Sequence, residues 1–462
     1  MAMGTRKKRE RQESLWIAKE EIIATPANAF YDELNRLLNE HGFDKKVEHL
    51  CKRYYEGPYG RRSMSPGVYF RALLVGYFEG IDSERGIAWR LADSLSLRTL
   101  LMYGLDEKTP DHSTLSRTRR LFWVSTHKAV FRWVLKVLSK ENLISGKTIS
   151  IDATTLEANA AMKGIVRRDN GQQYDEFLKE LGSAAGLENP TRDQLVRLDR
   201  KRKKKGSNQE WTSPSDPDAR ITKMKDGRTH LAHKAEHAVD METGAILAVT
   251  VQPADAGDTT TFQQTLNEAA GAVKAVTGSP VEELVMDKGY HSGAVLEKLH
   301  DQNIRSYVPE PRRGHRHWKG KETEQKLVYA NRRRVSRIKS KRWMKRRGEL
   351  VERSFAHLYE TGGMRRVHLR GRLNILKRVV VHAAGFNLGL VMRKRLGAGK
   401  PRQHQGLGAV FFAFFEPLWT LLRSTSRLSA ESRRFNPAWL SAFDLPFVSA
   451  LFPNRLTSAT GC

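Results

Sequence analysis

Only two cysteines, Cys51 and Cys462, occur in the 462 residues. Two thiols cannot build a disulfide framework or a Cys-based zinc site, and they suit a reducing compartment. Long apolar runs are missing as well. The most apolar stretch, GAVFFAFFEPLWTLL, is about fifteen residues long and is broken by Glu416 and Pro417, which is too short for a spanning helix. The first residues are basic but carry no apolar segment of the secretory kind, so no signal peptide is expected and a cytoplasmic location is. No Walker-type loop is present, so an ATP-driven motor has no support. No repeat of fixed period appears. Acidic residues are scarce: 51 Asp and Glu stand against 80 Lys and Arg, leaving +29. Such an excess repels itself in a folded chain, and a polyanionic partner is its natural counterpart. With Trp 9, Phe 18 and Tyr 12 the chain has enough large apolar side chains for a core and is not disordered.

The first 140 residues read as helices. Phe30, Leu34, Leu37 and Leu38 keep helical spacing, and so do Val130, Phe131, Val134, Leu135 and Leu138. Between them SPGVYFRALLVGYFEG opens on Ser65 and Pro66 and stops at Gly80. Ser83 begins a short helix, and Asp111, Ser113 and Thr114 offer caps before Arg117, Arg119 and Arg120. Short helices ending in an arginine-rich one suit a helix-turn-helix-like unit, and equally an ordinary bundle with a solvated arginine face. At Lys147 the texture changes. KTISIDATTLEA reads as a strand, THLAHKAEHAVD and AILAVTVQPAD as a hairpin about METG, VEELVMD and IRSYVPEP as further strands, with helices between and a last one through GELVERSFAHLY. Four segments are expected: a helical arm over 1–60, a helical domain over 61–145 with DNA binding as one of its two readings, an α/β domain over 146–400 with a polar insertion at about 163–226, and a loosely organised tail over 401–462.

Three carboxylates stand out by context. Asp152 closes the first strand of the α/β region, Asp287 closes a later apolar strand, and Glu352 lies on a helix after a dense basic segment. Ends of adjacent strands share one rim of a sheet, where open α/β sheets bind ligands. Three carboxylates meeting there repel one another unless hard cations bridge them, Mg²⁺ above all. Glu349 is a rival for Glu352, one turn earlier. From Arg312 to Arg347 the chain carries 16 Lys and Arg and only 2 Asp and Glu, with Trp318, Tyr329 and Trp343 interleaved. Basic side chains neutralise phosphates and aromatic rings stack on splayed bases. Arg332, Arg333 and Arg334 are the candidate backbone contacts, and Arg117, Arg119 and Arg120 the candidate base readers. His230, His233 and His237 alternate as on a strand rather than as a metal motif; Asp240 reads as a turn residue and Cys51 as a packing residue.

PGVYFRALLVGYFEGIDSERGIAWRLADS with PDHSTLSRTRR, IDATTLEANAA, VMDKGYHS and ELVERSFAHLYETGGMRRVHLRG, followed by NILKR and FNLGLVMR, together resemble the transposases of bacterial insertion sequences in the DDE superfamily, of the broad group that includes the insertion-sequence five type. The resemblance covers about residues 60–395. It implies a ribonuclease-H-like catalytic core with a helical N-terminal domain and an insertion. It implies that Asp152, Asp287 and Glu352 are the catalytic residues and hold two Mg²⁺ ions, with Mn²⁺ as a substitute. The implied partner is double-stranded DNA, as terminal inverted repeats and as target, bound by a homo-oligomer at the nucleoid, with no membrane. Arg346, Arg347 and Arg353 are implied in DNA contact. Many relatives set Tyr, Arg and Lys at fixed offsets around the Glu; here those offsets hold Lys345, Gly348 and Tyr359. Two other readings stand beside this one: a catalytically inactive, transposase-derived DNA-binding protein, and an RNA-binding protein, which would need a recognition signature the sequence lacks.

Overall fold

Pro66 sits at the start of the helix Pro66–Glu79, where its missing N–H costs nothing, and Gly80 ends that helix at φ 70°. A Cβ at Gly80 would stand 2.6 Å from the carbonyl oxygen of Thr361, so only glycine can make this stop. The computed structural model describes residues 28–55, 63–202, 207–224, 227–312, 314 and 316–404. Most of the expected N-terminal arm, the lysines 203–205 of the basic run, and the tail from 405 with its apolar stretch and Cys462 lie outside the described residues.

Among the described residues seven α-helices come first: α1 (Ala29–Glu40), α2 (Phe43–Cys51), α3 (Pro66–Glu79), α4 (Glu84–Asp93), α5 (Leu95–Leu100), α6 (His112–Leu121) and α7 (Val124–Lys140). Their starts follow the side chains the sequence offered. The Ser83 hydroxyl accepts from Gly86 N at 3.1 Å, and the Asp111 carboxylate from Ser113 N at 2.8 Å. Strand β1 (Thr148–Glu157) then opens the α/β part. The polar insertion expected at about 163–226 contains β2 (Val166–Arg167), α8 (Tyr174–Ala184), α9 (Arg192–Arg200), β3 (Trp211–Thr212) and β4 (Arg220–Lys223). It has a small core of its own, in which buried Trp211 meets Phe177, Ile165 and Ala158. After it come β5 (Thr229–Asp240), β6 (Ile246–Pro253), α10 (Asp258–Thr277), β7 (Glu283–Met286), α11 (Gly293–Asp301), β8 (Arg305–Tyr307), α12 (Glu322–Val335), α13 (Ile338–Phe355) and α14 (Arg372–Leu396). A π-helical turn over Ala356–Glu360 extends α13.

The sheet runs β4-β5-β1-β7-β8, and β6 also pairs with β5. Strand β5 is antiparallel to both β6 and β1, while β1, β7 and β8 are parallel. Three antiparallel strands continued by two parallel ones, with helices on both faces, make this α/β domain ribonuclease-H-like. Strands β4 and β6 share one edge of β5: β4 takes Thr229–Ala232 and β6 takes His233–Val239. The β5–β6 turn is closed by Asp240, whose carboxylate accepts from the backbone N–H groups of Ser145, Gly146, Glu242 and Thr243.

Two apolar cores flank the sheet. Ile149, Ile151, Leu284 and Met286 pack with Phe262 and Leu266 of α10 and Leu296 of α11 on one face. On the other, Leu156, Ala235, Val239 and Val249 join Val351 and Phe355 of α13, the apolar length of α14, and the helices α1 to α7. The change of texture at Lys147 is therefore a change of secondary structure across one continuous core. Helix α14 is long and apolar enough to cross a membrane by composition, yet it lies buried inside this core. Buried Asn387 on α14 grips the start of β6, accepting from Ile246 N at 2.9 Å and donating to Ile246 O at 2.8 Å. Cys51 packs in the same core, and burial pushes its thiol up to about 12.

Candidate active site

Asp152 does not close its strand as expected, because β1 runs on to Glu157 along β5; yet β1 and β7 run parallel with Ile151 opposite Met286, so the next residue on each, Asp152 and Asp287, stands side by side at the end of β7. Ser150 and Ile151 of β1 are buried, and the chain begins to surface at Asp152. Alternation points Ile151 toward α10 and turns Asp152 to the face covered by α13. There Arg347 of α13 meets both carboxylates. Its Nη1 donates to Asp152 Oδ2 at 2.7 Å, and its Nη2 stands 3.7 Å from Asp287 Oδ1. The other oxygen of Asp152 accepts from Ala153 N at 2.8 Å. Burial raises the Asp152 carboxyl above the usual carboxylate range, the Arg347 charge opposes that rise, and Asp287 adds to it. Two anions thus share one cation, and a hard divalent ion suits what remains unneutralised.

The third expected carboxylate stands apart. Glu352 follows Arg347 by five residues, which carries it about 140° round the helix, and its side chain is exposed. Among the described residues no group of three His, Cys, Asp or Glu side chains could hold one metal ion. The structure therefore joins Asp152 to Asp287 and leaves Glu352 on the flank of α13. The rotation of α13 is set by what it buries: Ser340, Leu350, Val351, Ser354 and Phe355 face the sheet. Gly348 lies between Arg347 and Glu352 on the surface of the helix, with open space where its side chain would be. The rival Glu349 is paired with Arg353 at 2.6 Å on the outer face.

One functional group escaped the sequence reading. His237 on β5 stands opposite Asp152 in the sheet register and is completely buried. Its Nδ1 lies 2.9 Å from Ser354 Oγ and its Nε2 2.5 Å from the Tyr359 hydroxyl. It thus ties β5, the strand paired with the Asp152 strand, to the helix that bears Glu352 and to the turn that follows. Tyr359, at the position where many relatives set a Lys, is a core residue here. On the opposite face, buried Glu236 accepts from Thr261 at 2.5 Å and Thr265 at 2.7 Å, and the Tyr290 hydroxyl approaches it at 3.4 Å. This anchors the Lys288–Tyr290 turn that leaves Asp287. The signal for both anchors was present as two consecutive polar residues, Glu236 and His237, which a strand turns to opposite faces.

The expected DNA contacts divide by exposure. On α6, Arg117 and Arg120 are exposed, but Arg119 is buried and paired with Glu84 at 2.9 Å. Its place is the inward face that Leu115 begins one turn earlier, so it is a core ion pair rather than a base reader. On α12, Arg333 is exposed, Arg332 pairs with Glu310 at 2.6 Å, and Arg334 is half-buried, donating to the carbonyl and hydroxyl of Ser306. On α13, Arg342, Lys345, Arg346 and Arg353 line a groove against the β5–β6 turn, where Arg346 donates to Glu242 O. Arg347 is turned away from this groove to the two aspartates. His233, unlike a metal ligand, is paired with buried Asp216 at 3.0 Å.

Two family models match the chain: Transposase domain (DUF772) over residues 20–121, and Transposase DDE domain over residues 190–388. Together they span more than half of it. No curated protein matches. Among solved structures, the chain is similar at 12% identity to a Mos1 transposase paired-end complex with left transposon end, covering 72% of this chain and 93% of that one with a TM-score of 0.18. It is similar at 11% identity to the Mos1 mariner paired end complex with Mn, over the same shares and with the same TM-score.

Proposed function

From the premise that the chain belongs to the DDE-superfamily transposases, enzymes that cleave DNA and transfer its strands, we propose that it cuts at the terminal inverted repeats of an insertion sequence of the insertion-sequence five and four-like group. It then joins the freed 3′ ends to target DNA. The observation that carries this reading is the placement of Asp152 and Asp287 side by side where the parallel pairing of β1 with β7 stops, beneath a basic helix.

Asp152 and Asp287 would hold Mg²⁺, or Mn²⁺ in its place, with Glu352 as the expected third ligand. When bound, two such ions supply an activated oxygen nucleophile and stabilise the leaving oxygen at a phosphate. The rest falls to the chain. His237, Ser354 and Tyr359 fix α13 to β5, and so fix the helix over the aspartates. Arg342, Lys345 and Arg346 hold a phosphate backbone along α13 without reading its bases. Register on the inverted repeat comes from elsewhere, and Arg117 and Arg120 on α6 are the exposed candidates. Two ends must be brought to one target, so the acting form is a homo-oligomer on DNA, at the nucleoid in the cytoplasm.

The outward position of Glu352 favours a second reading, an inactive DNA-binding derivative. One assay separates them. Duplex DNA bearing the element's ends is incubated with the protein in Mg²⁺ or EDTA, using wild type, Asp152→Asn and Glu352→Gln. Nicking at the repeat that needs Mg²⁺ and both carboxylates supports the transposase. Binding without nicking under every condition supports the derivative.

A further inference from the structure

We infer that Arg347 is a positioning residue that occupies the Asp152–Asp287 pair as a built-in counter-ion, and that a divalent cation and Arg347 exclude one another there. This rests on the reading of the two aspartates as metal ligands. The guanidinium spans both carboxylates, 2.7 Å from one and 3.7 Å from the other, and among the described residues these are the only acidic groups that pair with it. Its Nε is buried with no hydrogen-bond partner, so no other group holds the side chain where it is. The neighbouring arginines are engaged elsewhere: Arg346 at Glu242 O and Arg353 at Glu349. An exit lies beside it, because Gly348 leaves the adjoining surface of α13 open.

The charges give the logic. Two half-buried carboxylates repel one another, and Arg347 keeps them together while no metal is there. An ion placed on the same oxygens would lie within a few ångströms of the guanidinium and repel it. Binding of the ion therefore requires Arg347 to leave, and by reciprocity Arg347 weakens binding of the ion. Residues that merely support a metal site lower the affinity when removed; Arg347 differs in sign.

Isothermal titration of Mn²⁺ into the full-length protein without DNA tests this. Arg347→Gln is expected to bind Mn²⁺ about tenfold more tightly than wild type, and Arg347→Lys, which keeps a charge but loses the two-point grip, about threefold more tightly. Asp152→Asn is the control. Unchanged or weaker binding by Arg347→Gln, with Asp152→Asn defective, overturns the inference and leaves the metal site standing. If Asp152→Asn binds as wild type does, the metal-site reading falls and takes this inference with it. Should Arg347→Gln fail to fold, a lack of any gain in Arg347→Lys overturns the inference alone.

Discussion

The Ser354 hydroxyl donates to the carbonyl of Val351 at 2.7 Å, and that fixes the proton on His237. With its own hydrogen spent, Ser354 Oγ can only accept from Nδ1 of His237, and Nε2 is left to accept from the hydroxyl of Tyr359. Both ring nitrogens are satisfied by a neutral imidazole. Burial holds this ring neutral down to about 3.

Tyr359→Phe is expected to cost about 1–3 kcal/mol of stability by leaving Nε2 buried and unpaired. Tyr359→Lys, which installs the residue of many relatives, is expected to cost more, since an ammonium would be buried among Phe355 and His237. Urea unfolding of the two variants checks the order. A Lys variant as stable as wild type would show that the side chain can reach solvent from this turn.

Arg119 and its neighbours separate stability from binding. Arg119→Ala strands Glu84, whose side chain is 13% exposed, and is expected to cost about 3 kcal/mol or more. Arg117→Ala and Arg120→Ala lie on the exposed face and are expected to stay within about 0.5 kcal/mol of wild type while weakening binding to inverted-repeat DNA. Thermal melts beside a binding isotherm on specific and scrambled DNA make the comparison. Equal affinity of these two variants for both DNAs, unchanged from wild type, would remove α6 from end recognition.

Salt dependence should distinguish the arginines of α12. Each phosphate contact contributes about 0.9 to the slope of log affinity against log salt. Exposed Arg333 should contribute one such contact, and Arg334, held by Ser306, none. Arg333→Ala is therefore expected to flatten the slope by about 1, and Arg334→Ala to leave it unchanged. The same flattening in both variants would mean that Arg334 leaves Ser306 on binding DNA.

Acid should destabilise the fold through its buried histidines. Burial lowers His127 and His237 to about 3 and His357 to about 4. The unfolded chain takes up these protons near the ordinary histidine value of about 6.5. Between that value and about 3 the unfolded state binds more protons, so stability falls as pH drops, by up to ~1.4 kcal/mol per pH unit for each histidine. Urea midpoints from pH 7 to pH 4 should fall steadily. His127→Gln, which removes one such group, should show a shallower fall, and an equal slope would exclude His127 as a contributor.

The order of strands and helices from Lys147 onward was legible because each strand is a β-branched or apolar run stopped by Asp, Gly or Pro. The neighbourhood of Asp152 and Asp287 was legible in part: Asp287 does follow the end of its strand, while Asp152 lies inside β1 and meets it because the parallel register pairs Ile151 with Met286. The elements inside the polar insertion were not legible because its apolar residues are few and gather around Trp211 only in space. The rotation of α13 was hidden. Its basic residues cover nearly every side, and which face meets the sheet is decided by Leu350, Val351 and Phe355 against partners more than a hundred residues away. Arg119 was readable and was missed: it stands one turn after Leu115, which already faces inward.

Strand β4 joins β5 where β6 leaves it, so the insertion works as a lid on the sheet's open edge. It is four residues long and carries Arg220 and Lys223, the form that discourages pairing with other chains. A protein trimmed of the insertion would keep its aspartates and its main cores, but Thr229–Ala232 would present bare N–H and C=O groups along a strand already fixed in extended form. The shortened chain would be a template for joining its own copies strand to strand, and its solubility would fail before its fold.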